Sequence, residues 1–326
     1  MHTVSIIGFD GALASAITGI VDLFRLAGVT WARIHGEAPE PRFRTQLLTE
    51  DGGPCRCING LTLMADGRWS APALAQADII VVPTIGAPIG DVLAQNRSLV
   101  QWLSEQASSG SLIASNCTGA FLLAEAGLLD GREATTHWGF SNQFRQRYPA
   151  VSCHPEKLIT VDGALACAGG GMAWWDLGVY LVERFAGAET ARQLAKAFVI
   201  DAGRTSQAPY SALQAKRYHS DGTVLELQDW LDRHFARPIL LAELARQSGL
   251  SERSLLRRFK AATGDTPNTY LQLLRVEHVR HHLETSRRPI DEIINAVGYE
   301  DISSFSRLFR KHTGLAPGAY RSRFGR

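Results

Sequence analysis

Cys117 is the residue whose type and position most directly suggest chemistry. It follows the predicted strand 111–115 and precedes the predicted helix 118–126, which begins with small residues. A cysteine at such a strand-to-helix corner has the geometry of a nucleophile elbow, which presents a side chain at a helix N-terminus. Because the helix dipole and the free amides there stabilise a thiolate, we expect Cys117 to be exposed, to have a lowered pKa and to react with iodoacetamide faster than Cys167.

His137 is the nearest candidate partner for this thiol. It lies in the run Ala134-Thr135-Thr136-His137-Trp138, 20 residues after Cys117. A histidine within hydrogen-bond reach can act as the base that activates a cysteine nucleophile. Lone cysteines and histidines are more often structural, so a reactive pair and two structural residues are both open interpretations at this point.

These two residues lie within a stretch in which short apolar runs alternate with helical patterns. Such alternation favours an α/β doubly wound domain with a mainly parallel sheet, whose ligand pocket lies outside the carboxyl ends of the strands. The predicted strands are 3–9, 43–49, 78–82, 111–115 and 164–167, and the predicted helices are about 13–27, 92–108, 118–126, 172–185 and 188–201.

The last hundred or so residues contain one pattern twice, as expected of a duplicated structural unit. The first copy reads as a helix at 241–247, a stop at Gly249, and a second helix from the cap Ser251 to about Thr263; the second copy has helices at 290–296 and about 303–312. The residues that recur 50 positions later are Leu255, Arg257, Phe259, Gly264, Pro267 and Tyr270, which return as Phe305, Arg307, Phe309, Gly314, Pro317 and Tyr320.

Both copies are typical of DNA-binding helix-turn-helix units, in which the second helix enters the major groove. Leu255 and Phe259 are spaced to face a core, as are Phe305 and Phe309, and this leaves polar residues outward. Arginine suits base edges and serine suits phosphates, although either can do both. The alternative is a solvated basic face on a structural helix pair. The predicted DNA-contacting residues are Ser251, Arg253, Ser254, Arg257, Arg258, Ser303, Ser304, Arg307 and Arg310.

The second copy resembles the signature of AraC-family transcriptional regulators. The resemblance spans about 224–324 and rests on Gly298, Tyr299, Glu300, Asp301, the run Ser304-Phe305-Ser306-Arg307-Leu308-Phe309-Arg310-Lys311, and Gly314, Leu315, Ala316, Pro317, Tyr320 and Arg321. It implies two helix-turn-helix units joined by a long helix at about 268–284, so that one chain contacts two adjacent major-groove segments. It also implies promoter DNA and RNA polymerase as partners, and an activator.

The region around Cys117 resembles the PfpI-like branch of the class I glutamine amidotransferase-like superfamily, and most closely its GlxA-type regulators. The resemblance implies a flavodoxin-like fold that precedes an AraC-type domain, and the two resemblances together cover nearly the whole chain. It rests on Ser115-Asn116-Cys117-Thr118-Gly119, on Leu122, Ala124 to Gly131 and Thr135 to Trp138, on Val161-Asp162-Gly163, Ala168-Gly169-Gly170 and Asp176-Leu177, and on Arg204 to Tyr210.

The chain departs from the enzymatic pattern of that superfamily. Its enzymes pair the elbow cysteine with a carboxylate from the first helix, a position that falls here on Ala16, with only Ser15 and Thr18 nearby. Proteases of the group have histidine after the cysteine, where this chain has Thr118. We therefore expect no enzyme activity, no cofactor and no metal. A cysteine hydrolase or deglycase with a DNA-binding domain is the alternative, and a constitutive DNA binder whose α/β domain only dimerises is a third interpretation.

Composition agrees with a two-part chain of this kind. With 326 residues the chain is long enough for two domains. The net charge of +2 hides an asymmetry, since the part from Asp221 onward has 17 Lys+Arg against 13 Asp+Glu and the remainder has 17 against 19. Five cysteines without paired spacing favour a reducing compartment, and no apolar run is long enough for a membrane span. We expect a cytoplasmic protein.

These observations lead to a specific expectation for the domains and the sensor site. Residues 1–203 form a ligand-sensing and dimerisation domain, 204–221 a linker, and 222–326 the DNA-binding domain of a homodimer. The expected effector is a small metabolite such as an amino acid or a methylated amine, since a cation can bind over Trp138. The expected ligand-binding residues are Gly86, Cys117, His137, Trp138, Gly169 and Gly170.

Overall fold

The computed structural model describes residues 1–71, 76–211, 213–217 and 219–325, with only the backbone described at 214 and 215. The chain divides into two compact units, Met1–Gln207 and Ala208–Arg326. Two residues of the expected linker 204–221, Ala212 and Tyr218, lie outside the described residues. The same holds for Arg326 of the expected DNA-binding domain.

The first unit is organised by one sheet. Its strands are β1 (His2–Ile7), β2 (Phe43–Thr49), β5 (Gly67–Arg68), β6 (Ile79–Val82), β7 (Leu112–Asn116), β10 (Ile159–Asp162) and β11 (Leu165–Ala168), and two short ladders pair β3 (Cys55–Arg56) with β4 (Thr62–Leu63) and β8 (Glu133–Ala134) with β9 (Ser152–Cys153). The order is β10-β11-β7-β6-β1-β2-β5, and each neighbouring pair is parallel except β10 with β11. The mainly parallel doubly wound fold is therefore confirmed.

The centre of this sheet is its most apolar part. All four residues of β6 and all five of β7 are buried, as expected of parallel strands covered on both faces. Helices of the first unit pack around this core: Ala14–Leu26, Thr30–Ile34, Ile89–Gln95, Arg97–Glu105, Ala120–Glu125, Ser141–Arg147, Trp174–Ala186 and Ala188–Ala197. Because β7 is central, the side chains that follow Asn116 lie at the middle of the sheet's carboxyl edge.

Two of the predicted helices are shorter in the structure. The helix expected at 92–108 is broken at Asn96, whose side-chain amide donates to Val92 O at 2.8 Å. Asparagine side chains compete in this way with the backbone bonds of a helix. The helix expected at 188–201 ends at Ala197, because the chain enters the left-handed region at Val199, with φ 55°. Both boundaries were wrong for local reasons.

The second unit contains two helix-turn-helix cores. Its helices are Gly222–His234, Leu241–Ser248, Glu252–Thr263, Pro267–Thr285, Ile290–Ala296, Ile302–Thr313 and Pro317–Phe324. We call Glu252–Thr263 the first recognition helix, Ile302–Thr313 the second recognition helix, and Pro267–Thr285 the joining helix. One apolar core forms around Leu255 and Phe259 and a separate one around Phe305 and Phe309. These bounds agree with the predicted ones within about two residues.

Candidate functional site

The corner at Cys117 has the backbone of a nucleophile elbow. Cys117 has φ 56°, in the left-handed region that side-chain-bearing residues seldom occupy, and a single 3-10 turn, Cys117–Gly119, leads into the helix Ala120–Glu125. Two hydrogen bonds hold the corner: Thr136 Oγ1 donates to Cys117 O at 2.9 Å, and Thr118 Oγ1 donates to Ile85 O at 2.7 Å. The predicted elbow is therefore present in the backbone.

The chemistry expected of Cys117 is not supported. The residue is only 4% exposed. Burial raises the pKa of its thiol, and this effect exceeds the opposite influence of hydrogen bonds from the Thr118 amide and the Thr84 hydroxyl. Desolvation disfavours the charged form of a buried thiol. The expectation of an exposed thiolate was wrong, because the helix N-terminus stabilises the charge less than burial destabilises it.

His137 is also arranged differently from a catalytic base. Its Nδ1 accepts a hydrogen bond from Gly139 N at 3.0 Å, and its ring lies against Trp138 at 5.1 Å and Phe140 at 5.8 Å between centroids. Burial lowers the pKa of His137, so the ring is neutral at pH 7. Within the described ranges no hydrogen bond joins His137 to Cys117. A neutral ring that accepts at Nδ1 carries its proton on Nε2, which can donate to a ligand.

The first helix supplies no carboxylate to this site. Ala16 is 1% exposed and belongs to the apolar core, and the hydroxyl of the exposed Thr18 donates to Ala14 O at 3.1 Å within the helix. Thr118, which replaces the histidine of the proteases, is 3% exposed. A general base that lacks an orienting group is a poor catalyst. Within the described ranges, the elbow backbone is thus present, and the positions of Ala16 and Thr118 provide neither a carboxylate nor an imidazole beside it.

Gln207 is the residue of this site that sequence reasoning missed. It is 2% exposed, and its Nε2 donates to Thr136 O at 2.8 Å and to Thr135 Oγ1 and Lys157 O at 3.2 Å each. Its Oε1 accepts a hydrogen bond from Trp138 N at 3.2 Å, and its backbone N–H donates to Glu156 O at 3.1 Å. The segment Arg204 to Tyr210 contributed to the resemblance but was assigned to a linker, and no local pattern distinguishes a buried glutamine from an exposed one.

The three glycines among the predicted ligand-binding residues differ in their relation to this network. Gly169 is buried under Gln207, and a Cβ added to it would lie 2.1 Å from Gln207 Nε2, so this glycine admits the glutamine. Gly170 is half-buried with open space where a Cβ would stand, and Asn116 Nδ2 donates to Gly171 O at 3.2 Å, which brings this loop to the elbow. Gly86 follows Ile85, the acceptor of the Thr118 hydroxyl, and its N donates to Gly11 O at 3.1 Å.

A separate cavity of about 550 Å³ lies at the carboxyl ends of β1 and β2. Three carboxylates and two aromatic side chains line this cavity, and the lining includes none of the predicted ligand-binding residues. The lining is formed by Gly8, Phe9, Asp10, Thr49, Glu50, Asp51, Pro54, Cys55, Trp69, Gln95 and Asn96. In the ranges that the structure describes, no three His, Cys, Asp or Glu side chains are grouped to hold a metal ion.

The recognition helices of the second unit present the polar residues that their pattern predicts. Leu255 and Phe259 are buried, whereas Arg253 and Arg257 are exposed and make no hydrogen bond or ion pair within the described residues. The same is true of the Arg307 and Arg310 side chains on the second recognition helix. Free guanidinium groups of this kind are suited to base edges and phosphates. Ser251, Ser254 and Ser303 lie at the N-terminal ends of the two helices, where Ser251 Oγ accepts from Ser254 N at 3.3 Å and Asp301 Oδ1 accepts from Ser303 N at 2.9 Å and from Ser304 N at 3.1 Å.

Arg258 has a partner inside the protein. Its Nε donates to Asp221 Oδ2 at 2.6 Å, and Asp221 also caps the helix Gly222–His234 by accepting from Val224 N at 3.1 Å. This pairing lowers the pKa of the Asp221 carboxyl. We therefore interpret Arg258 as a residue that holds the first recognition helix in place, in contrast to Arg257 beside it.

Comparison with known proteins agrees with both halves of this description. Residues 4–184 match the DJ-1/PfpI family and residues 244–323 match a helix-turn-helix domain. The HTH-type transcriptional regulator CdhR of Pseudomonas aeruginosa is 32% identical over 281 residues, which cover 86% of this chain and 82% of CdhR. The HTH-type transcriptional regulator GlxA of Rhizobium meliloti is 29% identical over 209 residues, 64% of each chain.

A solved structure supports the fold of the first unit. A ThiJ/PfpI family protein of Pseudomonas syringae superposes with a TM-score of 0.52 at 16% identity, covering 76% of this chain and 91% of that one. The chain belongs to the DJ-1/PfpI family, in the group whose DJ-1/PfpI domain is followed by an AraC-type helix-turn-helix domain. It is thus a DNA-binding transcriptional regulator. None of the helices in the described ranges combines the length and apolarity needed to cross a bilayer.

The buried state of Cys117 predicts slow alkylation. We expect iodoacetamide to modify Cys117 of the folded chain at pH 7 at least about tenfold more slowly than the same residue of the chain unfolded in urea, since each unit by which the pKa rises reduces the thiolate about tenfold. The rate in the folded chain should continue to increase above pH 8.5, about where an ordinary cysteine is half ionised. Peptide mass spectrometry gives both rates, with the Cys117→Ser protein as the control. Faster modification of Cys117 in the folded chain than in the unfolded chain would show that the thiol is reactive.

Proposed function

We propose that this regulator is a homodimeric transcriptional activator controlled by a small metabolite that binds at the Cys117 elbow of a non-catalytic DJ-1/PfpI domain. The metabolite changes how the helix-turn-helix domain binds promoter DNA and contacts RNA polymerase. The observation that carries the proposal is the attachment of residues 204–211, which we call the anchor segment, to the candidate site on one side and to the DNA-binding unit on the other.

The first half of the anchor segment is fixed within the first unit. Besides the bonds of Gln207, the Arg204 guanidinium pairs with the buried carboxylate of Asp176, with Nε to Oδ1 at 3.2 Å. Ser206 Oγ donates to Glu156 O at 2.7 Å. Since Gln207 accepts the Trp138 amide and donates to Thr136 O, a ligand that moves the 136–138 loop also changes the hydrogen bonds of Gln207.

The second half of the anchor segment is fixed within the second unit. Arg280 of the joining helix, 9% exposed, donates to Pro209 O at 2.8 Å and also to Ser211 O. Its Nε donates to Tyr320 OH at 2.9 Å, in the helix Pro317–Phe324. Only Ala208 separates the Gln207 anchor from the Pro209 anchor, and two residue steps span at most about 7 Å. So little slack supports a mechanical connection between the elbow and the helix that joins both DNA-binding halves.

The chemistry of the site supports an amino acid or a methylated amine as effector. The half-exposed Trp138 ring can face a cation, and the Nε2–H of neutral His137 can donate to a carboxylate. A ligand with both groups would engage the two neighbouring side chains at once. The acidic cavity at β1 and β2, with Asp10, Glu50, Asp51 and Trp69, is the competing position for a cation.

The first prediction of this function concerns base recognition. We expect Arg257→Ala and Arg307→Ala each to weaken specific DNA binding by about 1–3 kcal/mol and to relax the preference at a few base pairs, as loss of a bidentate contact to guanine would. Ser304 and Arg310 are expected to contact phosphates. Binding to a randomised DNA library measures affinity and preference together. Arg258→Ala is the matched control, because that guanidinium pairs with Asp221, and its preferred sequence should be that of the wild type. Uniform weakening on all sequences by Arg257→Ala would make Arg257 a phosphate contact instead.

The second prediction concerns coupling. A thermal-shift screen of amino acids and methylated amines identifies the effector, which should stabilise the protein by about 2.7 kcal/mol at 100 times its dissociation constant. The effector should change promoter affinity of the wild type at least about fivefold, at the low end of known couplings. Gln207→Ala should still bind it and respond less than about twofold, because Trp138 and the anchor segment are no longer joined.

Three variants test where the effector binds and how the signal travels. Ser206→Ala removes a hydrogen bond from the anchor segment and leaves the bonds of Gln207 to the loop 135–138 intact. Its promoter affinity should respond to the effector as that of the wild type does. Trp138→Ala should lose effector binding, whereas Asp10→Asn should keep it. The opposite result for the last two would move the site to the acidic cavity, and full coupling in Gln207→Ala would contradict the role of the anchor segment.

The retained elbow is the observation that favours the alternative, a cysteine hydrolase or deglycase. We expect the purified protein to show no glyoxalase, deglycase or peptidase turnover above background, because Cys117 is a buried thiol and Ala16 provides no acid. The assay is run beside Cys117→Ser. Turnover that disappears in that variant would establish an enzyme.

A further inference from the structure

The two helix-turn-helix halves of the second unit meet at a seam formed by ring stacking, hydrogen bonds from one arginine and a close approach of two backbones. The seam consists of residues 235–237, at the end of the helix Gly222–His234, together with Arg275 of the joining helix and residues 298–299 in the turn before the second recognition helix. Phe235 packs against both apolar cores, and its ring stacks on His278 with centroids 3.7 Å apart and planes at 13°. Elsewhere the two cores have separate members.

Arg275 is the polar centre of this seam. Its Nε donates to Phe235 O at 2.8 Å and its guanidinium also donates to Arg237 O at 2.9 Å. The same guanidinium lies 5.2 Å from the centre of the Tyr299 ring. One planar, charged group therefore holds two carbonyls of the first half and an aromatic ring of the second, an arrangement that the rigid fork of arginine allows and that lysine would only partly reproduce.

Two contacts of Arg275, with Arg237 and with Tyr299, continue into the two helix-turn-helix units. Arg237 pairs with Glu243 at 2.5 and 3.1 Å, in the helix Leu241–Ser248 that precedes the first recognition helix. On the other side, the Tyr299 ring packs edge-on against Phe305 of the second recognition helix at 4.8 Å between centroids. A continuous series of contacts thus connects the two halves through Arg275.

The backbones of the two halves approach each other closely at Gly298. Gly298 has φ 82°, and a Cβ added to it would lie 2.2 Å from Ala236 O. A side chain at this position would have to push residues 235–237 away from the turn of the second half. The two backbones are in close contact and a guanidinium is bonded at the same place. Together these contacts restrict the distance between the two halves.

We propose that Arg275, supported by the close contact at Gly298, is a positioning residue that fixes the separation of the two recognition helices and thereby the number of base pairs between the two DNA segments that one chain contacts. On B-form DNA one extra base pair moves the second segment by about 3.4 Å along the axis and rotates it by about 35°. A rigid seam cannot follow that change, whereas a loosened seam can. Arg275 is thus a determinant of spacing, and it needs no contact with DNA for this role.

The test uses the full chain and a duplex selected by the wild type from a random library, with the two contacted segments mapped by methylation interference. The duplex is remade with one base pair added or removed between the segments, and also with one segment scrambled. The wild type should lose at least about tenfold in affinity for either altered spacing. Arg275→Ala should lose less than about threefold in affinity for the altered spacings, and the loss of Arg275→Lys should lie between those of Arg275→Ala and the wild type. Both variants should bind the scrambled duplex within about twofold of the wild-type affinity.

Arg321→Ala is the matched control. Arg321 also donates to a backbone carbonyl, Arg288 O at 2.7 Å, but both residues belong to the second half and lie away from the seam. This variant loses the same charge and should keep the tenfold discrimination. Circular dichroism verifies folding, and if Arg275→Ala does not fold, Arg275→Lys decides. Undiminished discrimination in the Arg275 variant, or an equal loss on every duplex including the scrambled one, would overturn the proposal.

Discussion

The buried side-chain amide of Gln207 is the interaction on which the arrangement of the 135–138 loop depends. It joins three parts of the chain that are distant in sequence, namely the loop 135–138, the turn at Lys157 and the start of the anchor segment. A buried amide of this kind must keep its partners, because each polar group left unpaired costs about 1–3 kcal/mol. The loop that carries His137 and Trp138 is therefore constrained by a residue that immediately precedes the DNA-binding unit.

At the candidate site, an elbow-shaped backbone carries a buried thiol. The left-handed conformation of Cys117 and the turn into the helix Ala120–Glu125 have the shape that catalysis would require. Ionisation of the thiol depends instead on water and neighbouring charge. The sulfur is buried, and among the described residues no carboxylate or imidazole is bonded to it. The proposed role in ligand recognition accordingly depends on the neutral His137 and the half-exposed Trp138, while the thiol itself is buried.

Sequence patterns were most informative where periodicity and local residue preferences determine the structure. The 50-residue repeat placed both helix-turn-helix units to within about two residues, since their glycine stops, caps and apolar stripes are local signals. The same reasoning failed where long-range packing decides. Burial of Cys117, the path of Gln207 into the 135–138 wall and the pairing of Arg258 with Asp221, 37 positions away, all depend on residues that meet only after folding. The helix break at Asn96 is an intermediate case. The hydrogen bond from its side chain to Val92 O is local, but an asparagine within a helix does not always form such a bond.

Amide hydrogen exchange can measure the proposed coupling of the elbow to the DNA-binding unit through the anchor segment, and it needs no knowledge of the effector. Coupling between two sites is reciprocal, so DNA bound by the second unit must alter the first. The diagnostic amides are Trp138, which donates to Gln207, and Gln207, which donates to Glu156 O. If the elbow and the DNA-binding unit are coupled, specific promoter DNA changes the exchange rates of these two amides, while the rates of amides within β6 stay the same. Identical rates for Trp138 and Gln207 with and without DNA would contradict it.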